Sequence, residues 1–355
     1  MQAAVPVSTV CLKRVARMSA LANLALMLAI FVAPAGAQAH GPVAPVASSY
    51  LAKPSAVPAG LRAKVIDGDQ LMWLAVAPNK TVVVLDPRGA PYLRFSRTGV
   101  EVNHNSMLYL LNQTPAQTPP TTLGRSTPPR WQHASDAHAY TWHEGRLHAL
   151  ASVAHLTGAA YLGRWSIPLQ IDGRATGIGG SVFYAQSPSV VWFWPIAVVV
   201  LCLLAALRLD QRSLDLRLAR ALSLVALLAI VLAGAARALH GRPSVSALGL
   251  AGFAITLVFA GWALHQVTTR EPGYFSCFAI AFVAAWEGAA LIPTLLDGFT
   301  LLALPAWLAR TATVVCLATA TALLLLSFRL GRPKQGIAAT SRQSDNKALA
   351  KESFA

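Results

Sequence analysis

Cysteine is nearly missing from this chain, and the place where it is missing matters. Of the four cysteines, Cys11 lies in the first segment and Cys202, Cys277 and Cys316 lie in long apolar runs, so residues 40–190 contain none. That stretch must fold without disulfides, even if it is exported. It also offers no thiolate to a metal, so any metal site there must use imidazole, carboxylate or backbone groups. Charge is scarce too: 12% of residues are charged and 55% are hydrophobic, far from the balance of a soluble globular protein. Acidic residues are the scarcer sign, 14 against 29 basic, for a net charge of +15.

That excess does not call for a nucleic acid partner. Much of it sits in the first segment, one short loop and the tail, where topology and anionic lipid account for it. No glycine-rich phosphate loop stands between a strand and a helix, because residues 177–180 fall in a strand or turn. No serine occupies a nucleophile-elbow sequence, and no Cys-His arrangement is available outside the apolar runs.

What is present begins with an export signal. Lys13, Arg14 and Arg17 precede an apolar run over residues 21–32, and small residues stand at Ala37 and Ala39. This order predicts a signal peptide over 1–39, cleaved after Ala39. The apolar run is shorter than the ~20 residues that span a bilayer. Cleavage there makes His40 the first mature residue, with an α-amine and an imidazole that can chelate one ion.

Composition then divides near residue 190. Five later segments are apolar enough to span a membrane, at about 190–207, 219–239, 245–267, 275–296 and 307–328. Arg208, Arg212, Arg217 and Arg220 crowd the loop after the first, and Arg329, Arg332, Lys334, Arg342, Lys347 and Lys351 follow the last. Positive charge marks both as cytoplasmic, and Arg237 and Arg242 are outnumbered. The expected protein is a multi-pass plasma membrane protein with its amino-terminal domain outside and its C-terminus cytoplasmic. Trp192, Phe193 and Trp194 mark the entry to the first span, where amphipathic rings favour the interface, and Pro195 suits a first helical turn.

Residues 40–189 carry short β-favouring runs at 71–76, 81–85, 92–95, 147–153 and 181–185, punctuated by Pro87-Arg88-Gly89 and Asp172-Gly173. No amphipathic helix stands out among them. The pattern predicts an all-β sandwich of immunoglobulin-like type, followed over 190–330 by a bundle of five transmembrane helices. Pro115, Pro119, Pro120, Pro128 and Pro129 mark residues 112–130 as a long extended loop. The polar, basic tail over 331–355 is expected to be disordered.

Histidines concentrate in one section of the outer domain: His133, His138, His143, His148 and His155. The run from Trp142 to His148 fits a β-hairpin turning at Glu144-Gly145, which pairs Thr141 with His148 and makes His143 and His148 diagonal neighbours. Two imidazoles there, joined by the His40 amine and imidazole and by His138, form a nitrogen-rich set suited to copper, with zinc as the alternative and nickel also compatible. Asp136 and Glu144 are oxygen ligands in reserve or partners behind the ligands. Within the apolar half, Glu287 and Asp297 flank Pro293, and His265 lies towards the cytoplasmic end of the third span. Glu287 is expected to face the bundle, as a relay or as a helix contact. Arg310 is placed to snorkel or to pair with Asp297.

The segment Asp172-Gly173-Arg174-Ala175-Thr176-Gly177-Ile178-Gly179-Gly180-Ser181-Val182-Phe183 resembles the last-strand motif of the periplasmic copper-resistance proteins of the CopC type. The signal peptide, the mature terminal histidine and the following membrane spans are similar in plan to that family and its CopD-type partner. The resemblance implies a copper-binding β-sandwich. The family's histidine after Asp-Gly is Arg174 here, a cation that cannot ligate, and the methionine-rich Cu(I) stretch is absent. Any metal therefore shifts towards His143 and His148. The blocks Val65-Ile66-Asp67-Gly68-Asp69-Gln70, Gly89-Ala90-Pro91-Tyr92-Leu93-Arg94-Phe95 and His143-Glu144-Gly145-Arg146-Leu147-His148 resemble, more closely, bacterial multi-pass membrane proteins to which no activity is attached. The expected function is binding or delivery of a metal ion rather than turnover. The competing readings are a membrane-anchored assembly protein that docks another membrane or exported protein, and a small transporter or ion relay using Glu287.

Overall fold

A computed structural model of the chain describes residues 45–148, 158–206, 211–241 and 244–331. The expected signal peptide, His40, His155, Arg242 and the basic tail lie outside the described residues.

Strand β4 (Leu71–Val76) has the sequence Leu-Met-Trp-Leu-Ala-Val, and its near-continuous apolar run marks it as central. It pairs antiparallel with β3 (Leu61–Ile66) on one side and β9 (Ala139–His143) on the other. A second, seven-stranded sheet has the order β2-β11-β10-β5-β6-β7-β8, again antiparallel throughout. Its members are β2 (Tyr50–Ala56), β5 (Val82–Leu85), β6 (Pro91–Ser96), β7 (Gly99–Asn103), β8 (Trp131–Ser135), β10 (Ala160–Ile171) and β11 (Arg174–Tyr184). The two sheets close on one core in which Met72, Leu74 and Trp142 meet Val82, Leu93, Phe95, Ile167 and Ile178. Each such buried side chain contributes about 2 kcal/mol through area removed from water. The β-rich domain is therefore held by packing and hydrogen bonding without disulfides, as the lack of cysteine requires.

The expected turn at Asp172-Gly173 closes the β10–β11 hairpin in two residues with φ of 51° and 80°. Both values match the primed turn that suits the right-handed twist of paired strands. Asp172 is fixed there by Lys80 Nζ at 2.8 Å and the Thr81 amide at 3.0 Å. The proline-rich stretch carries no helix or strand between α1 (Met107–Leu111) and β8. It lies along the domain because Arg88 donates to the carbonyls of Pro120 and Leu123, and Asn105 donates to that of Pro128. One expected strand is corrected: Leu147 ends a 3-10 turn over Gly145–Leu147, and residues 149–157 lie outside the described residues.

The apolar half contains α2 (Trp194–Ala206), α3 (Arg212–Ala238), α4 (Ala247–Thr269), α5 (Tyr274–Ala290), the single turn α6 (Pro293–Leu296) and α7 (Ala306–Leu330). Three of these, with 27, 23 and 25 residues, are long and apolar enough to cross a membrane: α3, α4 and α7. The α2 and α5 segments are shorter apolar helices, so the expectation of five full-length spans is met in part. The ends of the helices alternate between two rims. At one rim Arg329 meets Asp215 at 3.1 Å, and Arg220 donates to the carbonyls of Val267 and Arg270. At the other, the Ala303 amide donates to the carbonyl of Ala236.

This second rim holds the β domain. Strand β1 (Ala47–Ser48), just ahead of the domain, pairs with β12 (Phe299–Thr300) in the loop before α7. The Leu301 amide extends the ladder to the carbonyl of Val46, and Ser49 Oγ donates to Asp297 at 2.9 Å. Gly298 sits so close to Ala185 that an added Cβ would overlap its carbonyl. Val46 packs with Ala233 and Leu291 in a small apolar cluster. The domain is thus fastened by two segments, Val46–Ser49 and Ala185, rather than hung on one tether.

Candidate metal-binding site

The chain from Trp142 to His148 reverses direction without forming the expected hairpin. Residues 139–143 belong to β9, which pairs with β4, and the reversal is the 3-10 turn over Gly145–Leu147. The cause is Glu144, which is fully buried instead of sitting in an exposed turn. Its Oε1 accepts from the Arg146 amide and from Arg146 Nε, its Oε2 accepts from Arg146 Nη2 and Trp142 Nε1, and its own amide donates to the Gln70 carbonyl. Arg146 Nη1 goes on to the carbonyl of Leu85. A buried carboxylate survives only when paired and hydrogen-bonded, and this one has both. The turn is consequently wound around a charge pair.

The result brings His143 and His148 together by a different route from the expected one. Their Nε2 atoms are 3.3 Å apart, and their rings are 5.1 Å apart between centroids. The backbone of His143 is gripped by Asn112, which accepts from its amide at 2.7 Å and donates to its carbonyl at 3.1 Å. Behind His148 stands Asp69, with Oδ2 at 3.2 Å from Nδ1. A carboxylate in this position favours the proton on Nδ1, the tautomer that leaves the Nε2 lone pair towards His143. This hydrogen bond, with the charge of Asp69, raises the His148 pKa above its ordinary value despite partial burial.

Asp69 comes from the β3–β4 turn, 79 residues away in sequence. That turn depends on Gly68, whose φ is 83° and whose missing Cβ leaves room for Ser48 and the Tyr50 carbonyl. Ser48 is itself paired to Phe299 of the helical half. The carboxylate behind His148 is therefore set by the same contact that seats the domain on the bundle. The block around Asp67-Gly68-Asp69 is visible in sequence as a turn, but nothing in it identifies His148 as the partner.

The remaining sequence-derived residues are placed elsewhere. His138 precedes β9 at the end opposite His143, about 17 Å away along a strand rising ~3.3 Å per residue. It does not join the pair. Asp136 binds His133 at 2.9 Å on the β8 side, and Glu144 is committed to Arg146 and Trp142. Among the described residues no three histidine, cysteine or carboxylate groups converge as a metal cluster, so the pair supplies two donors.

In the bundle, Glu287 is buried and receives Arg237 Nη2 on both oxygens, at 2.7 and 2.6 Å. Arg237, counted by sequence as a charge on the wrong side, is instead the counter-ion of Glu287. Arg310 does not pair with the Asp297 carboxylate but donates to the carbonyls of Thr294, Asp297 and Gly298, closing the end of α6.

No protein-family model, curated protein or solved structure matches this chain.

Proposed function

We propose that this chain is a multi-pass plasma membrane protein with five crossings and a cytoplasmic C-terminus, whose outer CopC-like β domain binds a metal ion for delivery or resistance. Copper is the leading metal and zinc the alternative. His143 and His148 are the donors in the folded domain, and the amine and imidazole expected at the mature terminus, His40, are the further donors this reading calls for. Asp69 is the carboxylate behind the ligand, orienting His148 and raising its basicity.

The observation that carries this reading is the 3.3 Å separation of the two Nε2 atoms with Asp69 fixing the tautomer of one of them. At this separation both imidazoles would be within reach of one ion, to which they would supply two neutral nitrogen donors. Each ring would coordinate through Nε2 as neutral imidazole with its remaining proton on Nδ1, so an ion would compete with protonation of the pair. Thr294, Thr313 and the Glu287–Arg237 pair are engaged with one another or with backbone, which supports an anchoring bundle over a cation relay.

The test is calorimetry of Cu(II) and Zn(II) on the purified full-length protein with its native mature terminus, with EPR for copper. One equivalent should bind, with loss of at least about tenfold in affinity for His143→Ala or His148→Ala. Equal affinity in the double variant overturns the site. Equal affinity after one residue is added before His40 removes the terminus from the ligand set.

A further inference from the structure

The membrane-proximal end of the seven-stranded sheet carries an unusual row of residues on its outer face. Leu51, Phe183 and Tyr161 are cross-strand partners on β2, β11 and β10. Their neighbours Ala52 and Val182 belong to the core, so strand alternation turns this row away from it. Tyr161 is 57% exposed, and its ring meets that of Phe183 edge-on at 5.9 Å. Leu51 and Phe183 are half-buried, and an apolar row left partly open at a sheet end is a liability unless something covers it.

The next row on the same face is cationic. Lys53, Ser181 and Arg164 are partners a step of about 7 Å further along, two residues on β2 and β11 and three on β10, where the ladder bulges between Tyr161 and Gly163. Lys53 and Arg164 are both exposed. Lys53 Nζ leans back over the Phe183 ring at 5.7 Å. Among the described residues neither cation forms an ion pair with a carboxylate.

The direction of these rows relative to the bundle is fixed by the junction. Tyr50 and Tyr184, the outermost pair, adjoin Ser49 and Ala185, which contact Asp297 and Gly298. Aromatic residues thus lie nearest the apolar helices and cations one step beyond. Exposed Trp194 and Trp307, at the starts of α2 and α7, stand at the same rim. Rings at the interface followed by cations at phosphate height is the order in which a bilayer surface is layered.

We infer that the outer face formed by Leu51, Phe183, Tyr161, Lys53 and Arg164 is a lipid-docking surface that seats the β domain on anionic phospholipid headgroups. The rings occupy the interface, and the two cations hold lipid phosphates. This surface is separate from the histidine pair and does not depend on a metal.

Lys53 provides the readout and Lys80 the control. Lys80 belongs to the same domain but pairs with Asp172 at the far hairpin tip of the sheet. The full-length protein is placed in phosphatidylcholine nanodiscs with or without phosphatidylglycerol, and each lysine's acylation by a membrane-impermeant ester is followed by mass spectrometry. Anionic lipid should slow Lys53 about fivefold, the occupancy expected of one cation held near an anionic surface, and leave Lys80 unchanged. Arg164→Glu should abolish most of that protection. Lys53 reacting at the same rate in both nanodiscs overturns the proposal. Equal protection by inorganic phosphate in phosphatidylcholine nanodiscs overturns the lipid assignment, and full protection persisting in Arg164→Glu overturns the role of the second cation.

Discussion

Arg237 on α3 places one nitrogen, Nη2, between both carboxylate oxygens of Glu287 on α5, at 2.7 and 2.6 Å. In an apolar bundle each charge alone would be expensive, and together they tie two helices near the rim that carries the β domain. Glu287→Gln or Arg237→Gln should each destabilise the bundle by about 2–4 kcal/mol, because each leaves the other group without its counter-charge. The double variant should recover much of the loss. Thermal unfolding in detergent for the four members of this cycle measures the coupling, and strictly additive losses would show that the pair is not the tie.

The Asp69–His148 contact makes a second prediction, in which the sign is decided by the direction of the shift. His148 has its pKa raised above the ordinary 6.5 chiefly by the hydrogen bond to Asp69. A raised folded-state value means that the contact stabilises most below about pH 6.5, the unfolded value, and that this stabilisation fades as pH rises through the folded value. NMR titration of the His148 ring should show a midpoint above 6.5, and Asp69→Asn should lower it. Metal affinity should move oppositely, falling as His148 becomes protonated below its midpoint.

Glu144 makes a third. It is fully buried, with both carboxylate oxygens occupied by Arg146 and Trp142. Glu144→Ala should cost about 3–5 kcal/mol by leaving the Arg146 guanidinium without its counter-charge beneath the turn. Glu144→Gln keeps the shape but not the charge, and should cost less. If the turn positions His148, either change should also weaken metal binding, whereas the distant Lys80→Ala should not. Melting temperature and calorimetry on the same three variants check both halves.

The reach of sequence reading differs between elements for physical reasons. The runs at 71–76 and 81–85 are legible as strands because β-branched and apolar side chains suit a buried strand, and the observed strands are Leu71–Val76 and Val82–Leu85. The long apolar helices were legible because a bilayer demands length and hydropathy, which are local properties. Glu144-Gly145 predicts an exposed hairpin turn because a charged residue beside glycine has the usual composition of one. Only the arrival of Arg146 and Trp142 around the carboxylate turns it inward. The sequence predicts the adjacency of His143 and His148 through a hairpin, and the structure brings the two rings together across a 3-10 turn instead. His138 is near them in sequence, but the extended strand β9 converts that proximity into distance.

By itself the sequence determined the division into a cysteine-free β-rich half and an apolar helical half, and it determined which histidines are close along the chain. Those follow from composition and periodicity, which act over a few residues. The tertiary structure alone decided that Asp69 stands behind His148, that Arg237 neutralises Glu287, and that Val46–Ser49 ladders onto the loop before α7. Each of these joins groups many residues apart, whose partners are selected by packing and by the energetic need to pair buried charge and backbone polar groups.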